Sequence, residues 1–220
     1  PFGYDAFNRN LSSFDSERLD RKDYSFAIPS EYKIGPGDLL EVQFYGQEES
    51  QHSLAIGRNG ILQLPRVGPF NVLEKGNSFQ SLKSLINEKV NEKLGEGVGV
   101  SVSLGELRQI KVFLAGEFKR PGLKLTTAGS SILSLLLNCG GINEIASLRS
   151  LTLKREGAPE KTFDLYDLLL KGESASSILE DGDVVFLPTV KNRVWVEGKV
   201  MRPAIYEITN EVTLSAVIEL

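Results

Sequence analysis

The residues able to do chemistry in this 220-residue chain are few. There is one histidine, His52, one cysteine, Cys139, and among the carboxylates the closely spaced Glu48-Glu49 and Asp181-Gly182-Asp183. One His and one Cys exclude the usual zinc constellations, which draw most of their ligands from these two residue types. A Ser-His-Asp triad would need His52, which falls in "EESQHSLAIG", read as a solvated polar loop without a nucleophile elbow. Cys139 closes the apolar run "SILSLLLNCGG" and reads as a small buried hydrophobe at a helix end, since a reactive thiol wants cationic neighbours. Glycosidic cleavage needs two carboxylates held across a sugar, one with a raised pKa. Asp181 and Asp183 are instead read as turn chemistry, because aspartate caps and tolerates such bends. "EDGD" lacks the further ligands and closing glutamate of a calcium loop. "GEGVGV" opens no phosphate-binding helix, and no Lys-Ser/Thr follows a glycine pair. The expectation is no catalytic residue, no metal and no cofactor: a binding or structural protein rather than an enzyme.

The bulk composition agrees with that class. With 41% hydrophobic and 25% charged residues the chain can bury a sizeable core. A net charge of −4 argues against a nucleic-acid partner, which would require a basic stripe to meet phosphates. No run approaches the ~18–20 apolar residues of a spanning helix. The opening "PFGYDAFNRN" has no leader character, and "VTLSAVIEL" stops inside an apolar pattern, so both ends are expected to be cut from a longer protein.

Organisation follows from the periodicities. Residues 1–31 show no period of 2 or 3.6 and read as an extended arm with aromatic anchors Phe2, Tyr4, Phe7, Phe14, Tyr24 and Phe26. From Tyr32 the pattern changes: the turn Gly35-Pro36-Gly37-Asp38 leads into alternating Leu40, Val42 and Phe44. Asn59-Gly60 signals a hairpin, with Ile61, Leu62, Leu64 and Val67 on its core side. Phe79, Leu82, Leu85, Ile86, Val90 and Leu94 predict a helix, capped by Asn77 with Gln80 and stopped by Gly95. Residues 32–105 therefore form an α+β domain ending in the strand "VGVSVSL". Residues 110–190 read β-β-α-β-(α)-β, the order of a β-grasp domain.

A repeat carries the most information. "VFLAGEFKRPGLKL" and "VWVEGKVMRPAIYE" align without gaps at an offset of 82, placing Gly116 on Gly198, Arg120 on Arg202, Pro121 on Pro203 and Leu123 on Ile205. Residues 191–220 thus begin a second β-grasp copy, too short to bury a core alone. This piece must dock on the first copy, pair with a neighbouring chain, or be completed by further sequence.

Together, "YKIGPGDLLEVQFYG" (Tyr32 to Gly46, with Tyr32, Gly35, Pro36, Gly37 and Asp38 as the motif), the "GRNGILQLPRVGPFNV" hairpin and "SLKSLINEKV" resemble the polysaccharide export domain of bacterial outer-membrane polysaccharide export proteins. "AGEFKRPG", "GGIN" and "LEDGDVVFLP" are similar to the soluble-ligand-binding (SLBB) β-grasp domain that follows it in that family. "FGYDAF" is similar to a stretch of longer members. The resemblance implies a periplasmic component at the outer membrane of a Gram-negative bacterium. It would export capsule or exopolysaccharide as a homo-oligomeric ring, with the polymer and an inner-membrane polysaccharide co-polymerase as partners. The lipid-anchored cysteine and C-terminal membrane helix of some members are not in this sequence. On the family reading the Gly35–Asp38 corner shapes the domain, with Asp38 accepting from nearby backbone amides. The alternative is a periplasmic saccharide-binding β-grasp module without channel function. Trp195 and Tyr206 are then the aromatic candidates for stacking on a sugar. Arg58 and Arg66 are candidates for anionic sugars or a neighbouring subunit's carboxylates.

Overall fold

The computed structural model describes residues 1–8, 32–47, 49–95, 97–173, 177–210, 213, 215 and 217. Phe14, Tyr24, Phe26, Glu48 and Leu214 lie outside them. The chain divides into two units, one of residues 27–109 and 127–129, the other of residues 1–26, 110–126 and 130–220.

The first unit is built on an antiparallel sheet in the order β2-β1-β5, from β1 (Leu39–Gly46), β2 (Ser50–Ala55) and β5 (Val98–Leu104). Val42 stands opposite His52 on one side and Val102 on the other. One face of this sheet is apolar, with Leu40, Val42, Phe44, Val100 and Val102 buried. A helix, Phe79–Leu94, packs against β5 through Leu82, Leu85, Ile86 and Val90, the i, i+3, i+4, i+8 stripe expected of a helix with one core face. Its N-cap is Ser78 rather than Asn77: the Ser78 hydroxyl accepts from Ser81 N–H, while the Asn77 carbonyl is taken by Ile34 N–H at 2.8 Å. Gly95, at φ 81°, ends it as expected.

The hairpin also differs from expectation. β3 (Ile61–Leu64) pairs β4 (Gly68–Asn71), so the reversal lies at residues 65–67, where Arg66 takes φ 64°, and Asn59-Gly60 forms a separate bend before β3. Leu62 and Leu64 face inward, but Ile61 is exposed and Val67 half-buried. His52 belongs to the edge strand β2 and sets its ring edge against Phe44, so it is not a loop residue.

The second unit contains a five-stranded sheet with the order β7-β6-β10-β8-β9, from β6 (Gln109–Gly116), β7 (Gly122–Thr127), β8 (Leu151–Lys154), β9 (Lys161–Phe163) and β10 (Val184–Leu187). Numbered within the domain this is 2-1-5-3-4, with the first and last strands parallel, which is the β-grasp arrangement. The helix Ile132–Asn138 buries Ile132, Leu135 and Leu136, and Cys139 sits buried at its end, where burial pushes the thiol pKa up. "TFDLYDLLLKG" divides into the end of β9 and a π-helical turn, Asp167–Lys171.

The repeat is visible in the backbone. β11 (Asn192–Val196) pairs antiparallel with β12 (Ala204–Ile208) at the positions that β6 and β7 occupy 82 residues earlier. Gly116 and Gly198 both take positive φ (86° and 98°), and in each a residue two further on donates back to the glycine carbonyl at 2.9 Å.

Candidate functional site

The motif Tyr32–Asp38 is organised around one carboxylate. Asp38 is fully buried and accepts four hydrogen bonds: from the Tyr32 hydroxyl (2.6 Å), Gly35 N–H (2.9 Å), Arg108 N–H (3.2 Å) and Arg108 Nη1 (2.6 Å). A buried carboxylate is tolerated only when its lone pairs are filled and its charge is paired, and both conditions hold here. Pro36 is exposed at the turn and Gly37 takes φ 95°, a conformation costly for a residue with a Cβ. Burial, followed by the hydrogen bond to the Asp38 carboxylate, raises the Tyr32 pKa, so the phenol stays a donor at neutral pH. Every one of these groups is occupied within its own unit, and the cluster offers no nucleophile or open ligand position.

Asp181-Gly182-Asp183 is confirmed as a turn, but Asp183 does more than bend the chain. It is buried and accepts from both Nε and Nη2 of Arg155 (2.8 Å each) and from Glu180 N–H (2.8 Å). Its bonds hold the Arg155 guanidinium charged and raise its pKa.

A third cluster joins the two β-grasp copies. Glu207 of β12 is buried and accepts from Ser147 Oγ (2.5 Å) and Leu148 N–H (2.8 Å) of the first copy, while its own N–H donates to the Tyr166 hydroxyl (2.9 Å). The first eight residues close over this junction. Far from being extended, they contain a short helix, Tyr4–Asn8, with Tyr4 and Phe7 buried. Phe2 N–H donates to the Ile205 carbonyl (2.9 Å), and its ring stacks on Tyr206 and meets Tyr166 edge-on. Tyr4 donates to the Ala146 carbonyl and accepts from Arg193 (3.1 Å), and the Asn8 side chain accepts from Ile142 N–H. The second-copy hairpin therefore docks on the first copy of its own chain.

The predicted contact residues are not gathered in one place. Trp195 is 72% exposed, whereas Tyr206 is buried against Phe2, and they belong to successive registers of one hairpin that face opposite sides. Tyr206 thus cannot stack on a sugar in this arrangement. Arg58 and Arg66 are both exposed, at opposite ends of β3. The sequence reading missed Arg108, Arg155 and Glu207. The two arginines carry no local signal, but the repeat alignment places Glu207 against Leu125, and a carboxylate in an apolar column marks a changed environment.

Among the described residues no group of three or more His, Cys, Asp or Glu is placed to hold a metal ion, and no helix is long and apolar enough to cross a membrane.

The fold and the motif meet in known families. Residues 27–105 match the family described as polysaccharide biosynthesis/export protein, and residues 111–164 match the SLBB domain. Two Escherichia coli proteins named polysialic acid transport protein KpsD are each 30% identical over 178 residues, covering 80% of this chain and 32% of theirs. The chain spans about a third of the length of those relatives. The two matched domains and these relatives support the polysaccharide export protein family for this chain.

Proposed function

We propose that this chain is part of the polysaccharide export machinery of a Gram-negative cell envelope. In that setting residues 32–105 act as the export domain, residues 110–190 as the first β-grasp domain, and residues 191–220 as the opening of the second. The observation that carries the reading is the adjacency in one chain of an export domain closed on Asp38 and a β-grasp repeat. The machine works in the periplasm at the outer membrane, moving a capsule or exopolysaccharide polymer delivered by an inner-membrane co-polymerase. The domains serve as struts of a homo-oligomeric ring and perform no bond chemistry. Both turn aspartates, Asp38 and Asp183, are buried and hydrogen-bonded, which suits them to shaping a strut rather than to contacting a saccharide. Arg58, Arg66 and Trp195, all exposed, are then the candidates for contact with polymer or neighbouring subunits.

The test is genetic. Deleting the coding region for residues 32–105 in the parent bacterium should abolish surface polysaccharide while polymer persists inside the envelope. Undiminished surface polymer would sink the reading. Ring building is tested separately by light scattering from micromolar concentration upward: a discrete oligomer supports it, and a monomer throughout speaks against assembly through these domains alone.

A further inference from the structure

The outer face of the β2-β1-β5 sheet has an unusual composition for a solvent-facing surface. Along it stand Gln43, Gln51, Ser53, Ser101, Ser103 and Tyr45, all exposed. Gln43 lies opposite both Gln51 and Ser101, and Tyr45 opposite Gly99. Among the described residues of this patch the one charge is Glu41, which accepts from the Ser53 hydroxyl (2.6 Å), and no strand position on the face is basic. One residue in four of the whole chain is charged, so the neutral row along these three strands stands out against its composition.

One end of the face is shaped by glycines. A Cβ on Gly99 would fall 2.3 Å from the Tyr45 ring, and one on Gly97 would fall 2.8 Å from the Gln47 amide carbon. The two glycines leave room for a phenol ring and an amide to lie on the backbone of β5 and the residue before it. Tyr45 nonetheless remains 52% exposed. Covering a strand glycine accounts for where the ring lies; the other half of the ring is exposed.

We propose that this face is a contact site for an uncharged stretch of a polyhydroxylated polymer. A sugar ring presents C–H groups that pack on an aromatic face and hydroxyls that both donate and accept. Glutamine amides and serine hydroxyls offer both functions, in a row beside the ring. This rests on the export reading above and gives the polymer a place on the export domain. It is distinct from Arg58 and Arg66, which suit anionic groups. Without cations the attraction does not depend on ionic strength. Because the face is open, the contact is weak, and weak repeated contacts suit a path that must release what it admits.

The experiment is an NMR titration of the ¹⁵N-labelled chain with maltoheptaose as a neutral probe and oligosialic acid as an anionic one, at low and high salt. Maltoheptaose should shift the amides of Gln43, Tyr45, Gln51 and Ser101 equally at both salt concentrations. Tyr45→Ala should weaken binding about fivefold. Gln51→Ala, on the edge strand and away from Gly99, should weaken it about twofold, which guards against a disturbed Tyr45 variant. Shifts confined to oligosialic acid and erased by salt would overturn the proposal. A silent titration, with surface polymer lost in the deletion strain, would overturn this face and leave the export role standing.

Discussion

The turns ending at Asp38 and Asp183 are built alike. In each, a glycine with positive φ precedes the aspartate, Gly37 at 95° and Gly182 at 86°. The aspartate N–H donates to the carbonyl three residues back (3.2 Å in both), its carboxylate accepts from the N–H of that same residue, and its carbonyl accepts from a neighbouring segment. They differ in how the buried charge is neutralised. Arg155 forks over both oxygens of Asp183. Arg108 reaches Asp38 with Nη1 and its own backbone N–H, leaving room for the Tyr32 hydroxyl. The backbone of such a turn is thus a local property, whereas the counterion is recruited from wherever the fold brings an arginine, 70 residues after Asp38 and 28 before Asp183.

The largest effects should come from removing the carboxylates. Asp38→Ala and Asp183→Ala should each destabilise their own unit by about 3–5 kcal/mol, because each strands a partly buried arginine and a buried amide. Urea unfolding followed by hydrogen exchange of β1 and β10 amides separates the two. A loss at only one site would break the equivalence of the turns. The arginines sharpen the contrast. Lysine supplies a point charge and no fork, so Arg155→Lys should cost about 1–2 kcal/mol and Arg108→Lys less, since its backbone donor survives. Equal losses would mean that fork geometry is irrelevant here. Tyr32→Phe removes one donor from Asp38 and should cost about 1 kcal/mol.

The tandem junction responds to alkali instead. Burial pushes the Tyr166 pKa up to about 12 from an ordinary value of 10.0. A raised folded-state value means that the neutral phenol's contribution is complete below pH 10 and is lost as pH rises through about 12. Thermal melts across that window should fall less steeply in Tyr166→Phe than in the wild-type chain. Smallest of all, Trp195→Ala should change stability by under about 0.5 kcal/mol, as expected for an exposed ring away from the packed junction.

What the sequence made legible was local or periodic. The helix stripe from Leu82 to Val90, the Gly37 and Gly182 turns and the 82-residue repeat all depend on spacing, and spacing is written in the chain. Ser78 replaced Asn77 as the cap because both residue types cap well, and the choice fell to the tertiary bond between Asn77 and Ile34. Asn59-Gly60 makes a bend without pairing its flanking strands, since β2 finds its partner in β1. The burial of Tyr206 beneath Phe2 could not be read locally, because those residues are some two hundred positions apart. The Tyr4–Asn8 helix is too short to show a period at all.

The hydrogen bond between Phe2 and Ile205 sets an order on biosynthesis. A ribosome releases Phe2 long before it makes Tyr206, so the aromatic side chains of the first eight residues emerge well ahead of the hairpin that seats them. The β-grasp sheet can assemble from its own strands, but the seam between the two copies closes only after the chain is free as far as residue 208. Until then Phe2 has neither the Ile205 carbonyl nor the Tyr206 ring to pack on. A chaperone that binds short aromatic segments would meet this one early, and a stalled or truncated transcript would leave it bare.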